Sequence, residues 1–159
     1  MIDLQKAARV IKALSSKHLT LGSVESLTGG LFASSICSVA GASTVFRGSL
    51  VTYATDLKTK LDGVSRDTIR EFGVVSKEVA DSMAIHGREV LNADVVVSFT
   101  GNAGPTKEAG AAPVGRVNMA IATAYGVVEM EQDFTLSRNE IREACVDVML
   151  DRLIAIFEN

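Results

Sequence analysis

The run Asp94-Val95-Val96-Val97-Ser98-Phe99 carries apolar, mostly β-branched side chains at both odd and even positions. A strand wetted on one face would alternate with period two, so this one has to be covered on both faces. Helices on either side of a sheet supply such cover. Ile2, Leu4, Ala7, Ala8, Ile11 and Leu14 leave Lys6, Arg9 and Lys12 opposite them, which predicts an amphipathic helix over residues 2–16. Ser76 is the expected cap of a second helix reaching about Leu91, with Val79, Met83 and Val90 on its apolar side. Arg138 to Phe157 forms a third around Ile141, Val148, Leu153 and Ile156.

Strand patterns fall at Leu19–Val24, 44–53, 115–124 and 127–135, the last two joined by a hairpin at Ala124-Tyr125-Gly126. Glu25-Ser26-Leu27-Thr28-Gly29-Gly30 reads as a turn feeding a helix that runs to about Val39, and Thr55-Asp56 as helix caps before Lys58. This order predicts a three-layer α/β domain with a mixed sheet and residues 94–99 at its centre. A length of 159 residues without linker or repeat fits one domain.

Charge and apolar patterning exclude several classes of function. Sixteen Lys and Arg against nineteen Asp and Glu give −3, and no basic run is present, so no nucleic-acid partner is expected. Mean hydropathy is +0.25, yet polar residues break each apolar segment before about 18 residues, so no membrane partner is expected either. Asp3, Lys6, Arg9, Lys12 and Lys17 rule out a signal-peptide core near the start, and a cytoplasmic protein is the expectation. Cys37 and Cys145 have no partner at metal-ligand spacing and are expected to be core thiols in a reducing compartment. With only His18 and His86, no metal site is expected.

Three features carry candidate chemistry. Ser26 stands at a strand end before Thr28-Gly29-Gly30 and a helix, whose first backbone N–H groups lack intrahelical partners and can stabilise an oxyanion. An ordinary N-cap followed by packing glycines fits the same residues. Neither histidine is placed to serve as its base. Lys58, five residues after Tyr53 across a strand-to-helix transition, is the remaining base if burial lowers its basicity; otherwise it is a solvated helix lysine. Thr100-Gly101-Asn102-Ala103-Gly104-Pro105 ends the central strand, where open α/β sheets bind ligands, and is also readable as a tight turn. Arg47, Arg116, Arg138 and Arg142 are equivalent candidates for binding an anion.

Glu25 to Gly30, Gly41-Ala42-Ser43, Arg47-Gly48, Tyr53 to Gly63-Val64, Gly73-Val74-Val75-Ser76, Thr100 to Pro105 and Glu140-Ile141-Arg142 follow one another in an order that resembles the C-terminal domain of the competence/damage-inducible CinA family. That family includes stand-alone PncC-type nicotinamide-nucleotide amidohydrolases. The resemblance spans almost the whole chain. It implies an α/β/α sandwich that hydrolyses the carboxamide of nicotinamide mononucleotide to nicotinate mononucleotide and ammonia, without a cofactor. In that pattern Ser26 matches the nucleophile, Lys58 the lysine paired with it, and Tyr53 the neighbouring tyrosine. Ser43 matches an auxiliary hydroxyl, while Thr28, Gly29, Gly30, Thr100, Gly101, Asn102, Ala103, Gly104 and Arg142 match elements around the ligand, with backbone N–H groups near Thr28 and Gly29 holding the oxyanion. The resemblance covers one domain without the nucleotide-processing domain that precedes it in longer members.

This chain departs from the family's common pattern in three places. Leu27 stands at a usual Cys, Asn102 at a usual Ile, and Thr106-Lys107-Glu108-Ala109-Gly110 at a Gly-rich stretch. A pyridine nucleotide is the expected small-molecule partner and a homo-oligomer the expected assembly. A non-catalytic nucleotide-binding or partner-binding relative is the alternative.

Overall fold

The computed structural model describes residues 2–159 as a five-stranded mixed sheet between two helical layers. In chain order the elements are α1 (Leu4–Ser16), β1 (Leu21–Glu25), α2 (Leu31–Cys37), β2 (Phe46–Val51), α3 (Thr55–Lys60), α4 (Arg66–Phe72), α5 (Lys77–Leu91), β3 (Val95–Gly101), β4 (Arg116–Thr123), β5 (Gly126–Asp133) and α6 (Arg138–Phe157). The strands lie in the order β2-β1-β3-β4-β5. β1 runs parallel to both β2 and β3, whereas β3, β4 and β5 pair antiparallel.

β3 is central, as its unbroken apolar character requires. Val95, Val97 and Phe99 point into the larger core with α1, α2 and α6, while Val96 packs with Met83 and Val79 of α5 on the other face. Ser98 lies on that second face, fully buried, and donates its hydroxyl to the Ala80 carbonyl. α5 comes down onto the sheet at Gly87, where a Cβ would sit 2.6 Å from Val24 Cγ2. No larger residue fits at that crossing without moving the helix.

Side chains cap α1 and α5, Ser76 as predicted and Asp3 without a prediction. Asp3 accepts the Gln5 N–H ahead of α1, and Ser76 accepts the Val79 N–H ahead of α5. At α3 the expectation shifts by one position: Ala54 is the extended cap residue, and Thr55-Asp56 form the first turn. Residues 42–44 form a short 3-10 turn before β2, and α4, capped by Ser65, adds a helix that no apolar stripe had announced. Two core assignments are corrected. Val90 is 56% exposed because α5 turns that position away from the sheet, and Cys37 is exposed at the end of α2 while Cys145 is fully buried. No helix among the described residues is long and apolar enough to cross a membrane.

Candidate active site

β1 and β3 are parallel neighbours, so Glu25 and Phe99 stand side by side and the segments after them, Ser26–Gly30 and Asn102–Pro105, leave the sheet at the same edge. The segment after β2, which carries Thr52, Tyr53 and then α3, leaves there too. Three loops therefore converge beyond the carboxyl ends of the parallel strands, where an open α/β sheet leaves a crevice.

The turn after β1 is built around the Glu25 carboxylate. Fully buried, it accepts the Thr28 hydroxyl at 2.8 Å, the Gly30, Phe32 and Ala33 N–H groups at 3.2, 3.1 and 3.0 Å, and the Ser23 and Ser49 hydroxyls. A carboxylate thus occupies the N-terminus of α2 from within the chain, where the helix dipole favours negative charge. Gly29 and Gly30 take positive φ, +57° and +97°, which curls the backbone over that carboxylate. This corrects one of the expected oxyanion donors: the Gly29 N–H is taken by the Ser26 carbonyl, and the neighbouring Gly30 N–H goes to Glu25. Among the described residues the Leu27 and Thr28 amides have no acceptor, and they follow Ser26 directly.

Ser26 lies at the floor of a cavity of about 210 Å³ that Lys58, Tyr53, Thr100, Gly101, Asn102, Ala103 and Arg138 also line. Lys58 is 1% exposed, and its Nζ reaches Ser26 Oγ at 3.0 Å. It also donates to the Thr52 carbonyl at 2.6 Å and the Tyr53 carbonyl at 3.3 Å. Burial holds the Lys58 ammonium below the ordinary lysine range, partly opposed by the charge of Asp62. A neutral amine has two hydrogens and one lone pair. Two carbonyls on its hydrogens leave the lone pair for the Ser26 hydroxyl.

The remaining predicted residues divide into lining and framework. Tyr53 stands at the rim, 61% exposed, and its hydroxyl accepts from Arg138 Nη2 at 2.9 Å. The Thr100 hydroxyl donates to the Val74 carbonyl, tying β3 to the cavity wall. Gly101, Asn102 and Ala103 line the cavity, whereas Gly104 contributes its carbonyl to Arg138. Thr28, Gly29 and Gly30 lie behind the wall.

Two expectations are corrected outright. Ser43 is exposed on the 3-10 turn before β2, at the opposite end of the parallel strands from Ser26, and is not brought to the cavity. Arg142 donates through Nε and Nη2 to the Leu27 and Thr28 carbonyls at 2.9 and 3.0 Å, so its guanidinium grips the turn instead of facing the cavity.

Arg138 is the arginine of the four that lines the cavity. Glu25 and Asp62 were not foreseen. An acid at a strand end before Thr-Gly-Gly and a helix is the signal for the first; an acid four positions after the candidate lysine is the signal for the second. A wider cleft of about 780 Å³ adjoins the cavity, sharing Val74, Val75, Gly101 and Asn102 with it and continuing along residues 106–112. Asn102 shapes that cleft: Oδ1 accepts the Gly104 N–H and Nδ2 donates to the Ala112 carbonyl. Among the described residues no three of His, Cys, Asp and Glu converge to hold a metal ion.

Comparison with known proteins agrees with this architecture. The sequence model described as the CinA C-terminal domain matches residues 3–157. A CinA-like protein of Flavobacterium psychrophilum is 39% identical over 142 residues, covering 89% of this chain and 34% of that protein. A CinA-like protein of Prochlorococcus marinus subsp. pastoris is 41% identical over 152 residues, covering 92% and 35%. The chain thus spans about a third of the length of these curated relatives. The crystal structure of the competence/damage inducible protein CihA from Agrobacterium tumefaciens superposes with TM-score 0.92 at 34% identity, covering 98% of both chains. That of a competence or damage-inducible protein from Enterobacter asburiae gives 0.95 at 23% identity over 99% of both, a likeness of fold.

Proposed function

This chain belongs to the CinA C-terminal domain family, and from that premise we propose that it is an amidohydrolase that deamidates nicotinamide mononucleotide through Ser26 and Lys58. The observation that carries the reading is the 3.0 Å separation of Lys58 Nζ from Ser26 Oγ, with the amine buried and two backbone carbonyls on its hydrogens. A serine needs a base to become a nucleophile at neutral pH, and a lysine held out of water supplies one.

Neutral Lys58 takes the Ser26 proton as the oxygen attacks the carboxamide carbon. Negative charge then develops on the amide oxygen, and the Leu27 amide beside Ser26, which has no acceptor among the described residues, is the candidate donor to it. Protonated Lys58 returns its proton to the departing nitrogen, and ammonia leaves. Water attacks the acyl-enzyme with the same lysine as base, releasing the acid and restoring Ser26. Every proton in this cycle passes between substrate, Ser26, Lys58 and water, so the residues present suffice.

The cavities support a substrate of two parts. At about 210 Å³ the inner one suits an aromatic ring with its carboxamide, and the adjoining cleft of about 780 Å³ suits the ribose phosphate. Two unbridged cysteines, one of them exposed, support a reducing compartment such as the cytoplasm.

The deciding experiment incubates the purified protein with nicotinamide mononucleotide and follows ammonia and nicotinate mononucleotide. Production that Ser26→Ala abolishes, in a variant with unchanged circular dichroism, supports the reading. Binding without product favours a non-catalytic nucleotide-binding role instead.

A further inference from the structure

Asp62 lies just past the end of α3, one helical turn after Lys58, and is fully buried. Its Oδ2 accepts the Thr52 hydroxyl at 2.5 Å, and its Oδ1 has no partner among the described residues. Burying a carboxylate with one oxygen unsatisfied is unfavourable, and an apolar residue at such a place would avoid that penalty. What the carboxylate does there follows from its one partner. Thr52 is held on three sides: its N–H donates to the Glu25 carbonyl at 2.9 Å, its hydroxyl to Asp62, and its carbonyl accepts the Lys58 amine at 2.6 Å.

We propose that Asp62 is a positioning residue for the Ser26–Lys58 pair, fixing through Thr52 the carbonyl that aims the Lys58 amine and placing a carboxylate one helical turn from that lysine. The inference rests on the reading of Ser26 and Lys58 as nucleophile and base. The charged or titratable groups facing Asp62 are Lys58 from α3 and His86 from α5, whose ring abuts Gly63; Lys58 has the charge of Asp62 near it and shares its cavity with Tyr53 and, from α6, Arg138. Burial lowers the basicity of the amine. A carboxylate nearby restores part of that basicity. Burial pushes the Asp62 carboxyl itself up to about 6, so it carries its charge under neutral and alkaline assay conditions.

Asp62→Asn keeps an acceptor for Thr52 and removes the charge; Asp62→Leu removes both. The test compares wild type and both variants in pH profiles of kcat and KM for ammonia release. It also follows the ¹³Cε resonance of Lys58, assigned with Lys58→Arg, as an activity-independent titration. The expected result for Asp62→Asn is a shift of the Lys58 titration and of the alkaline-activated kcat limb to lower pH, with KM unchanged. Asp62→Leu is expected to show the same shift together with a fall in maximal kcat that Asn does not show. An Asn variant whose Lys58 titrates as in wild type overturns the proposal. If neither variant folds, wild type decides alone: the Lys58 resonance must move in step with ionisation of the Asp62 carboxyl near pH 6, and its failure to do so overturns the proposal. Absence of ammonia from wild type would overturn the amidase reading, while the titration would still decide the role of Asp62.

Discussion

Lys58 Nζ and Ser26 Oγ are 3.0 Å apart across 32 residues of chain, joined where the segments following β1 and β2 leave neighbouring parallel strands. If the lysine is the base, a guanidinium cannot replace it, because arginine keeps its proton throughout the accessible pH range. Lys58→Arg and Lys58→Met are each expected to lower kcat by roughly 10²–10⁴, measured by ammonia release.

The same lysine gives stability a pH slope. Its folded ionisation lies below the ordinary lysine value of 10.5 because of burial, so the unfolded chain binds more protons than the folded one between the two values. Stability therefore rises with pH across that window. Thermal unfolding of wild type at a series of pH values should show the rise, and Lys58→Met should lack it.

Asp62 produces the opposite slope at lower pH. Burial raises its carboxyl from 3.8 to about 6, so the folded state binds more protons than the unfolded one in between, and wild type loses stability as pH climbs through that interval. The advantage of Asp62→Asn over wild type should grow by on the order of 3 kcal/mol between pH 4 and pH 7. Denaturant midpoints at the two pH values measure it.

Glu25 holds the turn on which Ser26 stands, with six donors on one buried carboxylate. Glu25→Gln leaves one oxygen and introduces an NH₂ group against N–H donors. It should cost about 2–4 kcal/mol, read as a lower urea midpoint with the denaturant slope unchanged.

Asn102 should act on binding more than on turnover. Its side chain joins Gly104 to Ala112 where the inner cavity meets the outer cleft, and it makes no hydrogen bond to Ser26 or Lys58 among the described residues. Asn102→Ala is expected to raise KM for the mononucleotide several-fold and leave kcat near wild type, in steady-state kinetics.

Thiol chemistry gives a structural check independent of activity. Cys37 is exposed, whereas burial pushes the Cys145 thiol up to about 12. A disulfide reagent should therefore modify one thiol per folded chain rapidly, and the second only on unfolding.

Much of the fold could be read from local pattern. The unbroken Val95–Phe99 run marked the central strand, and the 2–16 and 138–157 stripes marked two helices of the same layer. Ser76 announced its helix by capping chemistry that depends on three residues alone. Where sequence reading failed, the deciding partner was distant in the chain. Whether Arg138 or Arg142 faces the cavity depends on which side of α6 meets the turn at 27–28, and four residues of helix cannot say. Ser43 belongs to a familiar stretch of sequence, yet the direction of β2 carries it to the far end of the sheet. Glu25 and Asp62 were legible as acids but not as buried ones, since burial of a carboxylate depends on donors gathered from several segments.

The grip of Arg142 on the carbonyls of Leu27 and Thr28 ties the last helix to the first turn after β1. Residues 2–137 hold the hydroxyl and the amine, but not the guanidinium that grips the loop after Ser26. A chain severed ahead of α6 would thus carry Ser26 on a loop without that brace while Lys58 keeps its place on α3.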